Sequence, residues 1–308
     1  MNGSVLRGPV LSLTRARWFR ALAGAPIGRA VASRFVAGEH LDDAIRVCRD
    51  LRKEGIGGVL DHLGENVRAP EQAAQAVRDY VRAVDRIRHE GDLDAYVSVK
   101  LTQLGLDFSN ELCAANVEEV LRAAEPGGVL VMIDMESSVY VDRTLRVFRD
   151  LRERHEGLGV CLQASLHRTP ADVGALPARS IVRLVKGAYL EPPEVAIASR
   201  REVDLAFARL FSTLVSRGHA VHVATHDPKL LDGARRYVER EGIDPSLIEY
   251  QMLYGVRRDL QARLASDGLP VRVYVPYGTE WYPYLTRRLA ERPANVWFFA
   301  SNLMRFRR

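Results

Sequence analysis

Eight short segments rich in β-branched and other apolar residues recur along most of the chain, and longer amphipathic stretches separate them. The apolar segments predict strands at residues 57–60, 95–101, 129–134, 158–164, 181–185, 220–225, 247–253 and 271–275. The stretches between them predict helices at residues 69–88, 116–124, 139–154, 194–216, 228–241 and 254–266, and a last helix follows at 281–292. Strands with few internal polar residues suit a parallel sheet that is buried on both faces. Eight βα units of nearly even length therefore predict an α/β fold, a (β/α)8 TIM-like barrel.

A doubly wound sheet is the main alternative for a chain in which strands and helices alternate. A dinucleotide-binding sheet of that kind needs a glycine fingerprint between its first strand and its first helix. Gly55, Gly57 and Gly58 lie close together, but they enter a strand rather than leave one, and they lack the GxGxxG spacing. The barrel therefore remains the predicted fold, with a barrel domain at residues 51–308 and an N-terminal helical arm at residues 1–50.

The composition excludes several classes of protein. The 308 residues contain 44 Lys and Arg against 39 Asp and Glu, a net charge of +5, and the two signs are interspersed. Nucleic-acid-binding proteins usually concentrate basic residues in a stripe, so we predict no nucleic-acid partner. No apolar run reaches the about 18 residues that a membrane span requires. The three cysteines, Cys48, Cys113 and Cys161, lack the spacing of a metal site, so we predict no metal and a cytoplasmic location.

Polar side chains occur at the end of each predicted strand, which is where barrel enzymes place their chemistry. They are Asp61, His62, Glu65, Lys100, Asp134, Glu136, Gln163, Arg183, Lys186, Thr225, His226, Asp227, Glu249, Gln251 and Tyr274. Exposure to water is enough to explain a polar residue at any one strand end. It is a much weaker explanation for polar residues at all eight ends. An unpaired charge at Lys100 or Arg183 would cost several kcal/mol, so each is predicted to have a partner. The predicted partners are Asp134 and a bound anion.

A second cluster of charges lies in the last predicted helix. Glu291 follows Arg287 and Arg288 by one helical turn and can hold both of them in place. Two adjacent guanidinium groups at a barrel mouth are suited to bind a carboxylate or a phosphate bidentately. A solvated helix face is the alternative interpretation, but the nearby aromatic residues Trp281 and Tyr284 favour a small, partly apolar pocket.

The residues alone leave three functional classes open. Lys100 and Lys186 could each form a Schiff base in an aldolase-like barrel. A cofactor-dependent barrel enzyme is the second class, and a basic barrel that binds an anionic partner without chemistry is the third. The fold does not decide between them.

Longer sequence motifs narrow the choice between these functional classes. The chain resembles the monofunctional proline dehydrogenases, flavoenzymes that have a distorted (β/α)8 barrel. The matching strings, in the order of the family, are DHLGE (61–65), SVKLTQLGL (98–106), IDMESS (133–138), RLVKGAY (183–189), ATHD (224–227), EYQMLYG (249–255), VRVYVPYG (271–278) and WYPYLTRRLAERPAN (281–295). The resemblance implies FAD-dependent oxidation of L-proline to 1-pyrroline-5-carboxylate, with non-covalent FAD. A membrane quinone would then accept the electrons, and a separate pyrroline-5-carboxylate dehydrogenase would consume the product.

The resemblance also implies roles for individual residues. The positions that match the family's flavin contacts are Met135, Gln163, Arg183, Lys186, Gly187, Ala188, Thr225, His226 and Gln251. Those that match its substrate contacts are Lys100, Tyr274, Arg287, Arg288 and Glu291. Asp134 would be the ion-pair partner of Lys100, and Glu65 would close the pocket by pairing with Arg287.

These roles agree with the chemistry of the side chains. Lys100, Arg287 and Arg288 would supply three cations for one substrate carboxylate. Arg183 would stabilise the negative charge that hydride transfer places on the flavin, so Asp134 and Arg183 are the predicted catalytic pair. The ring of Tyr274 would leave little room for a substrate hydroxyl, so we predict proline rather than hydroxyproline as substrate. A hydroxyproline dehydrogenase of the same family is the alternative.

One segment departs from the pattern of the family, and another has two interpretations. After the fourth strand the family commonly shows an aromatic residue and a lysine, whereas this chain has Ser165 and His167. The arginine-rich arm is predicted to pack across the bottom of the barrel. Peripheral contact with an anionic bilayer, through Trp18 and Phe19 among the arginines, is the alternative interpretation.

Overall fold

The computed structural model describes residues 32–291, and it describes side chains as far as residue 286. Within this range eight parallel strands form a closed barrel in chain order, with the eighth strand paired to the first. Helices surround the sheet. The predicted (β/α)8 barrel is therefore confirmed.

The elements have the following bounds. The strands are β1 (Gly57–His62), β2 (Ala95–Val99), β3 (Val131–Ile133), β4 (Leu158–Gln163), β5 (Ile181–Val185), β6 (Ala220–Ala224), β7 (Ile248–Leu253) and β8 (Val271–Tyr277). The α-helices are α1 (Leu41–Lys53), α2 (Pro70–His89), α3 (Asn110–Ala124), α4 (Val141–Arg152), α5 (Thr169–Gly174), α6 (Arg200–Ser216), α7 (Pro228–Glu241), α8 (Arg258–Ser266) and α9 (Trp281–Glu291). Short 3-10 helices lie at Glu125–Gly127, Ser138–Tyr140 and Pro245–Leu247.

The predicted strands and helices agree with the structure except at several ends. Helix α3 begins earlier than predicted because the Ser109 hydroxyl accepts a hydrogen bond from the Leu112 N–H at 3.0 Å and caps the helix there. Helix α6 begins later than predicted, where Ser199 accepts from the Glu202 N–H at 3.4 Å. The short helix α5 was not predicted. None of the described helices is both long enough and apolar enough to cross a bilayer.

The helix that covers the junction between β8 and β1 comes from before the barrel rather than after it. Helix α1 contacts both strands and buries Ile45 and Cys48 against them. Helix α9 follows β8 but packs Tyr284 and Leu285 against Leu63, which lies just after β1. This arrangement places α9 at the carboxyl end of the barrel. Residues 1–31 of the predicted arm lie outside the described residues.

The interior of the barrel is polar. The Arg183 guanidinium of β5 donates to the Ser98 hydroxyl of β2 at 2.8 Å, although the two strands are not neighbours. The Gln251 amide of β7 likewise reaches the Tyr96 hydroxyl of β2 at 2.5 Å. Such contacts cross the barrel axis, so the side chains involved fill the space that the sheet encloses. The largely apolar core lies instead between the sheet and the helices.

Candidate active site

A cavity of about 780 Å³ opens at the carboxyl ends of the strands. This is the end of a barrel at which the βα loops form active sites, and the volume is within the usual range for a ligand pocket. The predicted site residues that line the cavity are Lys100, Asp134, Met135, Gln163, Arg183, Lys186, Gly187, Ala188, Thr225, His226, Gln251 and Tyr274. The described structure thus brings most of the predicted side chains into one space.

Four predicted residues need a separate statement. Glu65 follows β1 and is not among the described residues that line the cavity. Arg287, Arg288 and Glu291 belong to helix α9, but their side chains lie outside the described residues. Tyr284, one turn earlier in α9, does line the cavity, so the helix borders it. The predicted clamp and the predicted pairing of Glu65 with Arg287 stay predictions.

Lys100 forms the centre of the charge network at the cavity floor. Its Nζ donates to the Asp61 carboxylate and lies 3.4 Å from Asp134 Oδ2. The sequence analysis predicted Asp134 and a bound anion as partners, so Asp61 is a correction to that prediction. The other oxygen of Asp61, Oδ2, is buried and has no hydrogen-bond partner among the described residues. Burial of this oxygen without a partner in the described part of the chain disfavours the ionised form of Asp61.

Arg183 has four hydrogen-bond partners among the described residues, and the most distant is the Tyr96 hydroxyl, which accepts from Nη2 at 3.5 Å. Its guanidinium donates to Gln251 Oε1 at 2.7 Å, to Asp134 Oδ1 at 2.5 Å and to the Ser98 hydroxyl at 2.8 Å. The side chain is only 4% exposed. Because Asp134 is its charge partner, Arg183 needs no bound anion to be stable in the interior. These contacts fix the guanidinium in one orientation.

Tyr274 connects the two cations. Its hydroxyl donates to Asp134 Oδ2 at 2.6 Å and lies 3.4 Å from Lys100 Nζ. The Arg183 guanidinium lies 5.3 Å from the centre of the phenol ring, within the range of a cation–π contact. The ring of Tyr274 is therefore held in place from both sides at the cavity floor.

The two carboxylates of the floor differ in their acidity. Burial raises the pKa of Asp61, and the attraction of Lys100 offsets this only in part. Burial also opposes ionisation of Asp134, but Lys100 and Arg183 outweigh it and hold the pKa of Asp134 below its usual value. Asp134 is thus the secure counter-ion of the site, whereas Asp61 is the carboxylate nearer to protonation.

The wall formed by β5 and β6 presents a different set of groups. Lys186 Nζ lies 2.5 Å from Asp204 Oδ1 and 3.0 Å from Asp227 Oδ2. His226 Nε2 accepts the Leu253 N–H at 2.9 Å, which leaves the ring hydrogen on Nδ1. Gln163 donates from Nε2 to the Glu136 carbonyl at 2.8 Å. This wall therefore offers one cation and several oriented polar groups to a ligand.

Gly187 lets the main chain of this wall come close to its neighbours. Its φ of +118° is one that residues with a Cβ rarely adopt. A Cβ built at this position would collide with the Ser165 hydroxyl. Ser165, one of the two departures noted above, thus lies directly beside the glycine, and both line the cavity.

The sequence analysis missed several residues of the cavity as site residues. They are Asp61, Ser165, Glu191, Arg200, Asp204 and Tyr284. Asp61 stood among the polar strand ends, and this signal could have identified it. Tyr284 was named as an aromatic neighbour of the charged cluster, and Ser165 as a departure from the family. Glu191, Arg200 and Asp204 approach the cavity from its side, and no local pattern marks them. Among the described residues, no group of three potential metal ligands is present.

A closed parallel barrel with paired, buried charges beneath a cavity at its carboxyl end is the architecture of a barrel enzyme. A sequence model of the proline dehydrogenase family matches residues 44–301. The proline dehydrogenase 2 of Bacillus subtilis (strain 168) is 37% identical over 271 residues, which cover 88% of this chain and 89% of that protein. The proline dehydrogenase of Deinococcus radiodurans is 38% identical over 281 residues, with coverage of 89% and 90%. The chain belongs to the proline dehydrogenase family.

A solved structure has the same fold. The crystal structure of proline utilization A (PutA) from Bdellovibrio bacteriovorus, inactivated by N-propargylglycine, aligns with a TM-score of 0.80 at 26% identity. The alignment covers 85% of this chain and 32% of that chain. The shared region is thus one part of a much longer protein.

Proposed function

We propose that this chain is an FAD-dependent oxidoreductase that converts L-proline to 1-pyrroline-5-carboxylate. The observation that carries the proposal is the cluster of Lys100, Asp134, Arg183 and Tyr274 at the floor of a cavity, in a chain of the proline dehydrogenase family. The cluster combines a cation for a substrate carboxylate with a second cation for the cofactor. A quinone acceptor and a separate pyrroline-5-carboxylate dehydrogenase are part of the proposal and rest on the family resemblance.

The donor set of the cavity fits FAD. Its walls alternate apolar side chains, such as Met135, Val185 and Leu253, with the polar ends of Gln163 and Lys186. Apolar surface suits the faces of a flat aromatic ring system, and oriented amide and ammonium groups suit its polar edge and a phosphate. FAD held by these residues would supply the hydride acceptor for oxidation of the ring carbon that adjoins the proline nitrogen on the side away from the carboxylate.

The residues of the floor have distinct proposed tasks. The Lys100 ammonium donates to Asp61 and to the Tyr274 hydroxyl at 3.4 Å and forms an ion pair with Asp134, and its positive charge at the cavity is the proposed site for a proline carboxylate. Arg183 supplies a fixed positive charge beside the cofactor, where it stabilises developing negative charge without reorganising. Asp134 holds both cations at once. The tasks of Arg287, Arg288 and Glu291 as a carboxylate clamp rest on the resemblance alone.

The spectrum of the purified protein tests the proposal. We expect a yellow protein with flavin absorbance that bleaches when L-proline is added without oxygen. Pyrrolidine, which lacks the carboxylate, is the matched control and should bleach the protein far more slowly. A colourless protein that borohydride traps covalently at Lys100 or Lys186 with a carbonyl substrate would indicate the aldolase instead. A colourless protein that does neither would indicate a non-catalytic binder.

The clamp is tested by removing one charge at a time. Arg287→Met and Arg288→Met should each raise the KM for proline by more than about tenfold, because each loses charge-assisted hydrogen bonds worth about 1.5–3 kcal/mol. The rate at saturating proline should fall much less. Steady-state kinetics measure both values, and an unchanged KM in both variants would remove the clamp from the proposed site.

Tyr274 tests the choice between proline and hydroxyproline. Tyr274→Ser opens space at the cavity floor, so the ratio of kcat/KM for hydroxyproline to that for proline should rise. Tyr274→Phe keeps the ring and loses only the hydroxyl that donates to Asp134, so its ratio should stay near that of the wild type. A ratio that is unchanged in the serine variant contradicts the steric explanation.

A further inference from the structure

A second layer of polar side chains lies within the barrel, adjoining Arg183 and Gln251. It consists of Tyr96 on β2, His222 on β6 and Glu249 on β7, together with Arg272 on β8. Tyr96 and His222 are 4% and 8% exposed, although both carry polar groups. Burying this many polar atoms costs free energy unless each of them has a hydrogen-bond or ion-pair partner.

Gln251 joins this layer to the cavity floor. Its Oε1 accepts from Arg183 Nε at 2.7 Å. Its Nε2 lies 2.5 Å from the Tyr96 hydroxyl, 2.5 Å from Glu249 Oε1 and 2.9 Å from His222 Nδ1. A flipped amide would set its N–H groups against the donors of Arg183 and its oxygen against the Glu249 carboxylate. The neighbours therefore select one orientation of the amide.

Both of the deeper partners present acceptors to Gln251 at neutral pH. Burial lowers the pKa of His222 to about 4, so its ring is neutral, and the single lone pair of Nδ1 accepts either from Gln251 Nε2 at 2.9 Å or from the Tyr96 hydroxyl at 3.1 Å. Burial opposes ionisation of Glu249, but the charge of Arg272 and the hydrogen bonds from Arg272 and Gln251 lower the pKa of Glu249, so its carboxylate is ionised at neutral pH. Arg272 Nε donates to its second oxygen, Oε2, at 2.8 Å.

We propose that Tyr96, His222 and Glu249 are positioning residues that fix the Gln251 amide and, through it, the orientation of Arg183 toward the cofactor. The inference rests on the proposed function, in which Arg183 and Gln251 contact FAD. None of the three touches the reacting atoms in this proposal. The effect of His222 and Glu249 passes through the hydrogen bond from Arg183 Nε to Gln251 Oε1, and Tyr96 also accepts directly from Arg183 Nη2 at 3.5 Å.

Two substitutions of His222 separate positioning from packing. His222→Leu replaces a neutral ring with an apolar side chain and removes the acceptor for Gln251 and Tyr96, without changing the charge. His222→Asn can keep an acceptor oxygen near the position of Nδ1. His219→Leu is the matched control, because His219 is also buried and, within the described part of the chain, its Nδ1 accepts a main-chain N–H, that of Ser180 at 3.1 Å.

The readouts are the visible spectrum and midpoint potential of the bound flavin, and the rate at which L-proline reduces it. In His222→Leu we expect a shifted flavin spectrum and potential and a reduction rate about tenfold lower, the equivalent of one lost hydrogen bond, with KM within about twofold of the wild type. His222→Asn should restore the spectrum and most of the rate. His219→Leu should lower the thermal midpoint but leave the flavin spectrum unchanged.

Two outcomes would overturn the inference. One is a His222→Leu holoenzyme with the spectrum, potential and reduction rate of the wild type. The other is a His222→Asn variant as impaired as His222→Leu, since packing rather than the acceptor would then explain the loss.

A measurement without flavin keeps the inference distinct from the proposed function. If the wild-type protein binds no FAD, the proposed function fails, but the coupling between His222 and Arg183 can still be measured in the apoprotein. The urea midpoints of His222→Leu, Arg183→Gln and the double variant should be non-additive, because both substitutions release the same Gln251 amide. Additive midpoints would contradict the coupling whatever the cofactor.

Discussion

The two ends of the barrel interior differ in how completely their charges are paired. At the amino end, Arg272 donates to Glu249 at 2.8 Å, to Asp94 Oδ1 at 2.8 Å and to the Gly58 carbonyl at 3.2 Å. At the carboxyl end, Asp61 Oδ2 is buried without a partner among the described residues, and Lys100 borders an open cavity. One end uses its charges to close the barrel, whereas the other places its charged groups beside a cavity.

The largest expected effect comes from removing the counter-ion at the carboxyl end. Asp134→Asn leaves Arg183 buried without its charge partner and leaves Lys100 only Asp61. Loss of one member of a buried ion pair costs about 3–5 kcal/mol, so we expect a reduction of that size in the free energy of unfolding. Proline-dependent activity should fall at least about a hundredfold, because both cations lose their orientation. Chemical denaturation and steady-state kinetics measure the two effects.

The corresponding change at the amino end should cost less. Glu249→Gln leaves Arg272 with Asp94, whose side chain is 43% exposed and therefore partly hydrated. We expect a loss of about 1–3 kcal/mol. If Glu249→Gln destabilised the protein more than Asp134→Asn, the contrast between the two ends would be wrong.

Substitutions of two glycines also test the contrast between the two ends, and their expected effects are of intermediate size. A Cβ at Gly57 would lie 2.5 Å from Arg272 Nη1 and 2.8 Å from its Cζ, atoms that the ion pairs hold in place. Gly57→Ala should therefore lower the free energy of unfolding by about 1–3 kcal/mol, with FAD affinity unchanged. Gly187→Ala forces a displacement of Ser165 in the cavity wall and should weaken FAD binding. Flavin titrations and unfolding curves of the two apoproteins measure these effects. Equal FAD affinities in the two variants would contradict the expected difference between the two glycines.

The smallest expected effect is a pH dependence that arises from the layer around Gln251. Burial, with a further contribution from Arg183 and Arg272, lowers the pKa of His222 from 6.5 to about 4. Below pH 6.5 the unfolded chain binds a proton at this site and the folded protein does not, so stability is lost as the pH falls from 6.5 toward 4. Between about pH 7.5 and pH 5.5 this amounts to about 1 kcal/mol.

The variant His222→Asn isolates that contribution because asparagine does not titrate. The difference in unfolding free energy between the wild type and the variant should shrink by about 1 kcal/mol over the same interval. A difference that stays constant with pH would mean that the ring of His222 is not held neutral in the folded protein.

The order of strands and helices could be predicted from the sequence because apolar periodicity is a local property. Helix ends were less certain, since α3 and α6 begin where a serine caps them and not where the apolar pattern starts. The polar strand ends likewise identified most residues of the cavity. The pairing of Lys100 with Asp61 could not be assigned, because strand stagger and side-chain length decide which of two nearby carboxylates it meets.

The polar layer around Gln251 could not be predicted from the sequence either. Glu249 and Gln251 were recognised as polar residues of one strand, but Tyr96 comes from β2, which does not pair with that strand, and His222 comes from the neighbouring strand β6. Gly57 appeared in the sequence only as part of a failed nucleotide fingerprint. In the structure it makes room for the Arg272 guanidinium.

The position of helix α1 has a consequence for how the protein is made. On the ribosome this helix is synthesised before every described strand, yet one of the two strands it covers, β8, is the last of them to be translated. The apolar side chains of Ile45 and Cys48 therefore lack their contacts with β8 while the rest of the barrel is translated. Closure of the ring is a late, long-range event with a high entropic cost, and until β8 is made the incomplete barrel leaves apolar surface uncovered.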